Sequence, residues 1–148
     1  MKRQVAIEII SLLFIFLFVY AAVSKLFDPD KFRLQIGQSP ILTSVASITV
    51  WFIPILEIAI SILLAVPRFR LTGLLASFGL MVMFTAYIIS ILQFSEDIPC
   101  ACGGVLQSMG WTTHLIFNIV FILISLSGIT LLGRTIKKGA SDHSAVNL

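Results

Sequence analysis

Two cysteines one residue apart, Cys100 and Cys102, stand in the run Pro99-Cys100-Ala101-Cys102-Gly103-Gly104 and are the chain's only thiols. A disulfide between them would close a very small ring, which strains the bond and makes it easy to reduce. So short a loop removes almost no chain entropy, so the pair has no worth as a structural staple and its use is chemical. Gly103 and Gly104 let the backbone turn sharply and let a partner approach the sulfurs closely. The pattern favours a redox dithiol that exchanges with a partner protein. A soft-metal site is the second use, since two thiolates with His114 would suit Cu(I) or Zn(II). Two buried cysteines in a re-entrant loop are the plainer alternative.

Beyond the thiols, His114 and Asn118 are spaced i, i+4 and share one face of a helix. An imidazole there would tune a thiol or relay its proton, or else sit at the headgroup boundary beside Trp111. Glu57 lies within a long apolar run, where a carboxylate is costly and needs a partner. It either stays protonated, relays a proton or pairs with a cation such as Lys25, and the last requires the second helix to enter the membrane late, near Trp51. Tyr20, Ser24, Tyr87, Ser90 and Gln93, with His114 and Asn118, place uncharged polar side chains in one leaflet. Such a pocket would suit a quinone head group, the one cofactor the chain brings into question. Aromatic belts and helix-contact serines explain the same residues more cheaply.

The elements that must carry these residues follow from composition. The chain has 148 residues, 58% of them hydrophobic and 11% charged, against about 25% charged in a soluble domain. With a mean hydropathy of +1.06, the bilayer is its solvent, which excludes an ordinary soluble enzyme, a disordered tail and a nucleic-acid module. No nucleotide loop, Ser-His-Asp set or H-E-x-x-H motif occurs. Four apolar runs, about 5–24, 45–66, 71–92 and 114–133, each approach the length a bilayer requires. They predict an all-α, four-transmembrane-helix bundle forming one domain over 1–133, followed by a short basic tail over 134–148. The first run exceeds the apolar core of a signal peptide and is expected to be retained.

Seven of the ten basic residues, Lys2, Arg3, Arg68, Arg70, Arg134, Lys137 and Lys138, fall on one side of these spans. The positive-inside rule places both termini in the cytoplasm and the cysteine loop, which has acids at Glu96 and Asp97 and no base, outside. Thiols on that side are open to oxidation. In the first outer loop, Asp28-Pro29 reads as a helix cap followed by proline at the first helical position, and Gly37 reads as a stop. The short helix between them has Phe32 and Ile36 on one face, suited to lying at the membrane surface. Ser39-Pro40 restarts helix in the same manner.

Taken together, Tyr20-Ala21-Ala22-Val23-Ser24-Lys25-Leu26 with Phe32, Pro54-x-x-Glu57 and the C-x-C-G-G loop resemble the MauE/DoxX-like redox-associated membrane proteins. The similarity spans about residues 7–132. It implies a four-helix bundle of the bacterial inner membrane, related at a distance to subunits that work beside quinones and thiols. MauE itself is implicated in methylamine dehydrogenase biogenesis beside a thioredoxin-like protein. Ser24, Lys25, Glu57, Cys100 and Cys102 match the family pattern. The resulting expectation is a thiol–disulfide exchange protein with a periplasmic thioredoxin-like partner. Cys102 attacks, Cys100 resolves, His114 tunes the thiolate, and Ser24, Lys25, Glu57 and Asn118 support the site. A non-enzymatic maturation factor for a partner enzyme and a metal-handling protein are the rival expectations.

Overall fold

The computed structural model describes residues 2–37, 46–94 and 111–146, and every described element is helical. Four helices are long and apolar enough to cross a membrane, over Lys2–Phe27, Ser47–Ala65, Pro67–Ser90 and Thr112–Lys137. The chain is therefore a multi-pass membrane protein. The spans belong to α1 (Lys2–Phe27), α3 (Ala46–Ala65), α4 (Arg70–Phe94) and α5 (Trp111–Val146), with a short α2 (Pro29–Gly37) between the first two. A single 3-10 turn, Pro67–Phe69, joins α3 to α4 tightly.

Helix α1 packs most extensively on α3 and α4 on α5, while contacts between α3 and α4 and between α1 and α5 close the bundle. Phe14, Phe18, Ile60, Leu64, Leu74, Leu80, Met81 and Phe121 form the buried centre. Phe14 meets Phe121 edge to face, with ring centroids 5.3 Å apart and planes at 87°, the arrangement that ring quadrupoles favour. The outer faces are as apolar as the centre: Phe16 is 77% exposed and Leu12 65%. Such faces are stable only against lipid.

Small residues let the helices approach. Ser77 and Ser125 are fully buried and donate to carbonyls of their own helix, Ser77 to Gly73 at 2.7 Å and Ser125 to Ile122 at 2.8 Å. Each hydroxyl is thus satisfied without a partner from another helix. A Cβ added at Gly73 would stand 2.9 Å from the Leu64 side chain, so α4 crosses α3 at this glycine.

Helix α2 forms as its cap predicts. The Lys31 N–H donates to Asp28 Oδ1 at 3.2 Å, and the Phe32 N–H donates to the Asp28 carbonyl. Its apolar face does more than meet a surface, because Ile36 is buried against Val50 of α3 with Phe32 packed beside them. The first turns of α3 therefore lie alongside α2, beyond the end of α1. Helix α5 runs to Val146, through the stretch expected as a basic tail. At 1.5 Å per residue its 36 residues span about 54 Å, well beyond a hydrocarbon core of about 30 Å. Ser39-Pro40 lies outside the described residues.

Candidate functional site

Because α3 extends past the end of α1, Lys25 in the last turn of α1 is level with the middle of α3. There the Lys25 Nζ donates to Glu57 Oε1 at 2.6 Å. Glu57 is completely buried, about 15 Å along α3 from Ser47 at 1.5 Å per residue, and the Lys25 side chain is 16% exposed. Of the three fates open to Glu57, pairing with Lys25 is the one observed. The ammonium also stands 5.4 Å from the centroid of Phe84 and 5.6 Å from that of Phe32. Both lie within the distance at which a ring face attracts a cation.

The pair lines a cavity of about 360 Å³. All five helices contribute to its wall, including Tyr20 and Ser24 of α1, Tyr87 of α4, and His114 and Asn118 of α5. It reaches from exposed Asp28 inward to buried Met81 and Phe18. The i, i+4 spacing brings His114 and Asn118 to the same wall, as expected. Ser90 and Gln93 do not line it, and the Ser90 hydroxyl is turned back to the Ala86 carbonyl at 2.9 Å. Among the described residues, three buried atoms on this wall have no hydrogen-bond partner: Glu57 Oε2, His114 Nδ1 and Asn118 Nδ2.

Cys100 and Cys102 lie outside the described residues, as do Glu96, Asp97, Gly103 and Gly104. Chain order sets them on the segment 95–110, which joins α4 to α5, and both helices contribute to the cavity wall, α4 as far as Ile88 and α5 from His114. Among the described residues no three His, Cys, Asp or Glu side chains are gathered as a metal site would need.

Phe84, whose ring faces the Lys25 ammonium, is not among the residues the sequence singles out. Its signal was its spacing, three residues before Tyr87, which puts both on one helix face.

A family profile described as methylamine utilisation protein MauE matches residues 3–131. The chain belongs to the MauE family. Searches of curated proteins and of solved structures each find no match. The MauE match takes in every residue of the cavity wall and the cysteine segment, and it ends within α5 before the basic extension.

Proposed function

We propose that this MauE-family chain is a membrane maturation factor that exchanges thiol–disulfide equivalents with a thioredoxin-like partner through Cys100 and Cys102. The observation that carries this reading is the lone C-x-C-G-G run on the segment that joins α4 to α5 and leads into His114 in the first turn of α5. The family's description as a methylamine utilisation protein supports the maturation role. The asymmetry of basic residues supports an inner-membrane topology with both termini cytoplasmic and the thiols outside.

The exchange balances as follows. The thiolate of Cys102 attacks one sulfur of the partner's disulfide, whose S–S bond breaks, and the partner's leaving thiolate takes up a proton. Cys100 then attacks the mixed disulfide, leaving Cys100–Cys102 oxidised and the partner a dithiol. Two electrons and two protons have passed to the partner, and the same steps in reverse oxidise it. His114 serves the proton movements, while Lys25 and Glu57 hold neighbouring charge fixed inside the bundle.

Trapping in cells tests the reading. A Cys100→Ser chain, which keeps the attacking thiol and lacks the resolving one, should accumulate a covalent adduct with the partner. A chain with both serines should form none. If neither single variant traps a partner and both keep full function in maturation, thiol exchange is refuted.

A further inference from the structure

We infer that the cavity is a binding site for a neutral amphipathic molecule with a hydroxylated aromatic head group, held between Glu57 and Asn118. This goes beyond thiol exchange and does not rest on it. Glu57 is fully buried and Asn118 is 2% exposed, and both line the same cavity from different helices. Among the described residues, Glu57 Oε2 and Asn118 Nδ2 lack hydrogen-bond partners. Buried polar atoms are nearly always satisfied, so an acceptor on α3 and a donor on α5 define what fits between them. A hydroxyl group supplies both complements, donating to the carboxylate oxygen and accepting from the amide.

The head group's charge follows from the ion pair. Lys25 and Glu57 cancel each other at 2.6 Å, so a charged ligand would bring an uncompensated charge into a low-dielectric interior. Its shape follows from the wall. Phe32, Phe84, Tyr87 and His114 offer rings to a planar head, and Phe18 and Met81 carry the cavity into the apolar core, where a hydrocarbon chain belongs. At about 360 Å³ the space lies within the range of small-molecule sites.

The full chain in phosphatidylcholine nanodiscs, treated with a diazirine analogue of para-heptylphenol, tests the site. Saturable labelling should map by mass spectrometry to residues of the cavity wall and be competed by para-heptylphenol. Para-heptylanisole, which keeps the shape without the donor, should compete about tenfold less well, the worth of one buried hydrogen bond to a charged group. The anionic para-heptylbenzoate should compete no better than the anisole. Asn118→Leu should weaken labelling by a similar factor. Equal competition by phenol and anisole in the unaltered chain would overturn the proposal. So would labelling that never saturates and falls on lipid-facing residues such as Phe16.

Discussion

Removing one partner of the Lys25–Glu57 pair should cost more than removing both. At 2.6 Å the Coulomb attraction is about 6 kcal/mol for an effective dielectric near 20, and it offsets the cost of taking two ions out of water. Glu57→Leu leaves the ammonium of Lys25 with a side chain 16% exposed and with the rings of Phe32 and Phe84 still near it. Its cost should therefore sit at the low end of the range for a broken buried pair, about 3 kcal/mol. Lys25→Met strands a carboxylate with no exposure at all and also removes both ring contacts, so its cost should reach about 5 kcal/mol. The double variant Lys25→Met/Glu57→Leu replaces both charges with apolar groups of similar size. It should lie near the parent stability or above it. The four proteins can be compared in detergent by sodium dodecyl sulfate titration, with helix content followed by circular dichroism. If the single costs sum to the double cost within about 0.5 kcal/mol, the two residues do not act as a unit and the reasoning fails.

Phe14→Ala should destabilise the bundle by about 3 kcal/mol in the same titration, since the ring is fully buried against Phe121 and Phe18 and its loss leaves a void where all helices but α2 meet. Two glycines on α4 should respond with opposite signs. Gly73→Ala forces a Cβ to within 2.9 Å of the Leu64 side chain and 3.0 Å of its backbone nitrogen, an overpacking that should cost about 1–3 kcal/mol. Gly79→Ala meets nothing within 4 Å and should stabilise by up to about 1 kcal/mol through helix propensity. The topology read from basic residues predicts that, in intact cells after mild reduction, an impermeant maleimide labels Cys100 and Cys102. Labelling only after the membrane is opened would reverse the orientation.

What the sequence makes legible, and what it hides, both follow from the bilayer as solvent. Four spans are visible because hydrocarbon demands long uncharged helices, and α2 is visible because Asp28-Pro29 and Gly37 mark its ends by local chemistry. Helix faces are far harder to read, because a residue facing lipid and a residue facing the bundle are equally apolar. Thus Phe16 and Phe18 look alike in sequence, yet one is exposed and the other buried. Polar residues escape this ambiguity: a carboxylate in α3 must face inward and find a cation, so Lys25 was nameable as the partner of Glu57. The depth at which they meet depends on α2 packing against Val50, a long-range contact that no local pattern contains. Helix α5 continues past its span for a related reason. The charges after Gly133 end a membrane span, but Lys and Arg are good helix formers and no proline interrupts the stretch.

The same logic explains why the site gathers at one end of the bundle. Near Leu64, Gly73 and Gly128, small side chains let α3, α4 and α5 close on their neighbours, with a Cβ at Gly128 only 3.2 Å from Ile10. At the other end, α2 packs on α3 above the end of α1. The cavity lies at this end, and the chain places aromatic rings and an ion pair around it. Charge at such a place is costly to the fold unless both partners are kept. The cost therefore sets the loss of one partner alone, Lys25 or Glu57, as the change that should disturb the cavity first, ahead of any residue of the apolar wall.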